Sequence, residues 1–75
     1  MNEKLVQIME MLTADGVKSS LSLDVWGQLD IYLWNGTIID RHLGIRNVKY
    51  ISGVDVDMVA SMIEAYKKSQ PARKA

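Results

Sequence analysis

The sequence predicts a small single-domain α+β fold: a helix, a three-stranded antiparallel meander with a candidate short fourth strand, and a C-terminal helix. Three observations predict it. Asn35-Gly36 sits between two apolar, β-prone runs, 29–34 and 37–39, which is the strongest short-range hairpin signal. Leu5, Ile8, Met9 and Leu12 recur at i, i+3, i+4 and i+7, the stripe of an amphipathic helix. The same period returns in Val56, Val59, Ala60, Ile63 and Tyr66.

The first helix is expected over 3–14, with Asn2 as its cap and Glu3 near the positive end of the dipole. Val6 and Met11 widen its stripe on opposite flanks. Gly16 suits the residue just past the end, and Val17 suits the apolar contact back to the last turn.

From Leu21 the period changes to two. Leu21, Leu23 and Val25 alternate with Ser22 and Asp24, and the same parity resumes in Leu29, Ile31 and Leu33. One long strand bent at Gly27 fits this pattern, as do two strands joined through Trp26-Gly27-Gln28. Strand length favours the turn. That turn is expected to place Asp24 opposite Asp30, an unfavourable pair, which Arg41 in the next strand could relieve.

A type I′ turn at Asn35-Gly36 sets Trp34 against Thr37, Leu33 against Ile38, Tyr32 against Ile39 and Asp30 against Arg41. Leu29, Ile31, Leu33 and Ile38 then share one face, and Tyr32, Trp34 and Ile39 the other. Asp40 would fall on the first face, so the third strand ends near Ile39 or a bulge re-aims the residues after it. Gly44 reads as a break. Residues 47–51 read as the candidate fourth strand or an extended connection.

The second helix is expected over 56–69. Asp55 is its N-cap, Asp57 suits the first turn, and Glu64 precedes Lys68 by four residues. Pro71 marks the stop. The domain is expected over 1–70, followed by a short mobile basic tail over 71–75.

Composition narrows the function classes. Nine acidic and nine basic residues give a formal net charge of zero, against the basic excess of a dedicated nucleic-acid binder. There is no cysteine, so neither a disulfide framework nor a thiolate zinc site is expected. A cytoplasmic location is the default expectation. No apolar run approaches a membrane span, and no membrane partner is expected. The glycines form no phosphate-binding pattern, and no cofactor is expected.

Catalytic and metal-binding residues are not expected either. His42 is the single histidine and has no nucleophile motif beside it. Asp24, Asp30 and Arg41 would form a charged stripe across the outer sheet face. It offers fewer oxygen ligands than magnesium or calcium takes and reads as pinning the register.

The candidate interface is Tyr32, Trp34 and Ile39, joined by Trp26 and, from the second helix, Met62. Aromatic residues on a sheet fill the centres of interfaces, and they also stack bases; burial of this face beneath the second helix within one chain is the other reading. Arg41, Arg46 and Lys49 make a modest candidate basic patch. A 75-residue chain buries a limited core, and surplus apolar surface marks association.

The order helix, three strands, helix is similar to that of the double-stranded-RNA-binding domain. That family carries lysines at the start of its second helix. The matching stretch here, Gly53-Val54-Asp55-Val56-Asp57, is acidic, so the resemblance implies the fold without the phosphate contacts. The leading expectation is a non-enzymatic interaction or regulatory module that forms a homodimer, with another protein as the alternative partner. The runner-up is a weak nucleic-acid binder, acting as a dimer that pools the basic patches with the tail.

Overall fold

The computed structural model describes residues 3–14 and 16–69. The expected Asn2 cap, the Pro71 stop and the basic tail lie outside them. The elements run α1 (Glu3–Ala14), β1 (Ser19–Leu23), β2 (Leu29–Asn35), β3 (Ile38–Ile45) and α2 (Gly53–Lys68). The strands form one antiparallel sheet in the order β1-β2-β3, so β1 and β3 are its edges.

Both helices pack on one face of the sheet. Ile8 and Leu12 of α1 and Val59, Ile63 and Tyr66 of α2 close over Leu29, Ile31, Leu33 and Ile45 in a single core. Leu5, Met11, Val56 and Met62 pack at its margin. Ala60, expected on the buried stripe, is exposed.

The start and stop signals have physical partners. Past the end of α1, the Gly16 N–H donates to Thr13 O (3.1 Å) and the Val17 N–H to Leu12 O (3.2 Å). This is the paired bonding of a Schellman stop, with Val17 folded back on the core. The second helix begins three residues earlier than expected. Ser52 is its N-cap, and Asp55 is instead the third residue of a capping box. The Asp55 carboxylate accepts from the Ser52 N–H (2.9 Å) and from Ser52 Oγ (3.3 Å).

Residues 24–28 form a turn, not a bend in one long strand. Asp24 does not face Asp30. It sits in the turn, where its Oδ1 accepts from the N–H groups of Trp26 and Gln28 (2.9 Å each), and Ser22 takes the place opposite Asp30. Gly27 has φ +89°, and a Cβ there would lie 3.1 Å from Asn47 Oδ1, so the turn needs glycine twice over.

The β2–β3 hairpin is offset from the expected register. Asn35 pairs with Ile38 and Trp34 with Ile39, so the two-residue loop is Gly36-Thr37. Gly36 alone has positive φ (+67°) there, as a type II′ turn asks, whereas type I′ would need a positive φ at Asn35 as well. The register then shifts between Leu33 and Trp34, and Leu33 faces Arg41, Tyr32 faces His42 and Asp30 faces Gly44. The bulge at Asp40 returns Leu43 and Ile45 to the core face. The strand therefore runs on through Gly44 to Ile45 instead of ending near Ile39.

No fourth strand forms among the described residues. Val48–Tyr50 is one turn of 3-10 helix capped by Asn47. The Val48 N–H donates to Gly27 O (2.8 Å), so this segment docks on the β1–β2 turn.

Candidate functional site

The face of the sheet opposite the helices carries the expected aromatic residues. Side chains opposite one another across a ladder share a face, so Ser20, Tyr32 and His42 form one row, Ser22, Asp30 and Gly44 a second, and Trp34 with Ile39 a third. No described helix covers these rows, since both pack on the other face.

The rows are tied together internally. Tyr32 and His42 stack with ring centroids 4.8 Å apart. His42 Nε2 lies 3.0 Å from Asp30 Oδ1, and Gln28 Nε2 donates to the same oxygen at 3.3 Å. The His42 bond, and after it the Gln28 bond, hold the Asp30 carboxyl below the usual carboxylate range. Trp34 Nε1 donates to Ser20 Oγ (2.9 Å), and the Trp34 carbonyl beside the bulge accepts from the buried Tyr66 hydroxyl.

The expected charged stripe of Asp24, Asp30 and Arg41 does not exist. Asp24 is in the turn, and Arg41 faces Leu33 on the helix side of the sheet, 3.8 Å from Asp40. The partner of Asp30 is His42. Among the described residues, no group of three or more potential ligands could hold a metal ion.

The candidate interface separates into three places. Tyr32 and Trp34 are half-buried on the open face, with Ile39 exposed beside Trp34. Trp26 is 80% exposed in the β1–β2 turn. Met62 belongs to a groove between β3 and α2 that it lines with Arg41, Leu43 and Met58, away from the aromatic rows. The candidate basic patch is divided as well. Arg41 lies mid-strand, while Arg46 and Lys49 follow the end of β3.

The sequence reading missed the free edge. Leu21 faces Ile31 and Leu23 faces Leu29, so both leucines point to the helix side, yet they remain 39% and 59% exposed. The helices stop short of them. Helix α2 lies over β3 and meets α1 on its Met11 side, so the opposite flank of α1, with Val6 and Met9, faces away from α2. The available signal was the run Ser19-Ser20-Leu21-Ser22-Leu23, a strand without a charge.

No family model, no curated protein and no solved structure matches this chain. Among the described residues no helix is long and apolar enough to cross a membrane.

Proposed function

We propose that this chain is a small non-enzymatic interaction module, accessory or regulatory in kind, that works as a homodimer. One observation carries the reading: both helices cover the same sheet face. The aromatic rows are therefore left uncovered, and Leu21, Leu23, Val25 and Trp26 stand exposed at one side of the sheet. Apolar surface left exposed on so small a chain favours a partner, and twofold pairing is the commonest closure. The environment of His42 supports a structural role for the single histidine, because its ring is stacked on Tyr32 and its Nε2 engaged by Asp30.

Light scattering after size exclusion, over a range of concentrations, tests the reading. The expected mass rises to twice 8.5 kDa as concentration increases. A mass of 8.5 kDa at every concentration overturns it.

A further inference from the structure

We infer that the homodimer forms by antiparallel pairing of β1 with β1 of a second copy, centred on Leu21, to give one continuous six-stranded sheet. The inference rests on the homodimer reading above and assigns its surface and register.

The backbone supplies the first argument. Asp24 N–H donates to Gln28 O and Trp34 N–H to Lys18 O. In an antiparallel ladder such bonds fall on alternate residues, so the even-numbered residues of β1 turn their peptide groups toward β2. Ser19, Leu21 and Leu23 therefore direct their N–H and C=O groups outward, at an edge. Pairing Leu21 with Leu21 of the second copy sets Ser19 against Leu23 and Leu23 against Ser19. All three are hydrogen-bonded pairs, and the whole of β1 is engaged. A twofold axis between the two Leu21 residues generates this register, as isologous closure requires.

The second argument is charge complementarity. In the same register Lys18 falls opposite Asp24 of the second copy, and Asp24 opposite Lys18. Both side chains retain capacity for this pair. Lys18 commits one ammonium hydrogen bond to Gly36 O (2.9 Å) and has three donors. Asp24 commits Oδ1 to the turn amides. Opposite charges directly across a ladder are favourable, and here each copy supplies one of each sign.

The third argument is burial. Leu21 and Leu23 lie on the helix side and stay exposed in the single copy, so a second copy seated on β1 would remove apolar surface from water. Nothing in the strand opposes the approach, because it lacks the charge, proline or bulge with which proteins blunt an edge.

The absence of native cysteine makes single-cysteine cross-linking a clean test. Leu21→Cys places two thiols on residues about 5.5 Å apart between Cα atoms, within disulfide reach, and is expected to cross-link to itself under mild oxidation. Leu23→Cys residues would sit four positions apart along the ladder, roughly 13 Å, and are expected not to cross-link. Two non-covalent variants complete the test. Ser19→Pro removes an outward N–H, which an edge strand tolerates, and Leu23→Lys charges an exposed position. Each is expected to remain folded by circular dichroism and to shift the light-scattering mass to that of the monomer. A wild-type dimer that persists in both variants, or that cross-links through Leu23→Cys and not Leu21→Cys, overturns the β1 assignment and leaves the homodimer standing. A wild-type protein monomeric at every concentration overturns both.

Discussion

The two edges of the sheet are built on opposite principles. Along β3, the outer edge carries Asp40, Arg41 and His42, and a bulge breaks its register at Asp40. Along β1 the edge is serine and leucine in regular register with β2, with charges only at the flanking Lys18 and Asp24. An exposed strand edge is a template for another chain, and one edge here is guarded while the other is open. The contrast gives the proposed association its direction. Pairing through β1 alone would use up the open edge of both copies and close at two chains, whereas two open edges would allow growth without end.

The sharpest way to probe this contrast is to compare neighbours on one face. Ile31 is fully buried at the centre of the sheet, and Leu21 beside it is 39% exposed. Ile31→Ala is expected to remove about 2–5 kcal/mol of folding stability, read by urea denaturation. Leu21→Ala is expected to change monomer stability far less and to weaken dimerisation about tenfold. Equal losses of folding stability at the two positions would mean that β1 is packed within one chain.

The guard on β3 can be loosened from beneath. Tyr66 donates its hydroxyl to the Trp34 carbonyl beside the bulge, and Tyr66→Phe leaves that carbonyl without its donor. The expected loss is about 1–3 kcal/mol in thermal or urea unfolding, with the dimer mass unchanged. A smaller change is expected at the turn that sets up the bulge. Gly36→Ala places a Cβ at φ +67° and is expected to destabilise by about 1–2 kcal/mol, again without altering association.

The smallest effect concerns pH. The Asp30 carboxyl has its pKa lowered in the folded chain, chiefly by the His42 bond. A lowered folded pKa stabilises above the unfolded value and is lost as pH falls through the folded one. The contribution is therefore present at neutral pH and fades below roughly pH 4. Asp30→Asn is expected to flatten the acid limb of a melting-temperature series in that range. An unchanged limb would mean that the pair does not matter to stability.

Much of this organisation was legible in the residues. The i, i+3, i+4 stripes found both helices, the period-two runs found the first two strands and the correct faces for Leu29, Ile31, Leu33, Tyr32 and Trp34, and the hairpin signal at Asn35-Gly36 found the third strand. The register was less legible, for a physical reason. Asn35-Gly36 and Gly36-Thr37 are both acceptable loops, and only the need to return Leu43 and Ile45 to the core selects the second together with a bulge. Residues 47–51 looked extended because nothing local reveals that Val48 bonds to Gly27. The open edge was hidden too. Strand order and helix placement, not the alternation of Leu21 and Leu23, decide which leucines stay uncovered.

The measurement that bears most directly on the open edge is amide hydrogen exchange as a function of protein concentration. The outward-facing amides of Ser19, Leu21 and Leu23 should exchange rapidly in dilute solution and become protected together as the dimer forms. The His42 and Gly44 amides, which the same alternation turns to the β3 edge, should show no such dependence. Protection that rises at the β3 edge, or β1 amides indifferent to concentration while the mass doubles, would contradict pairing through β1.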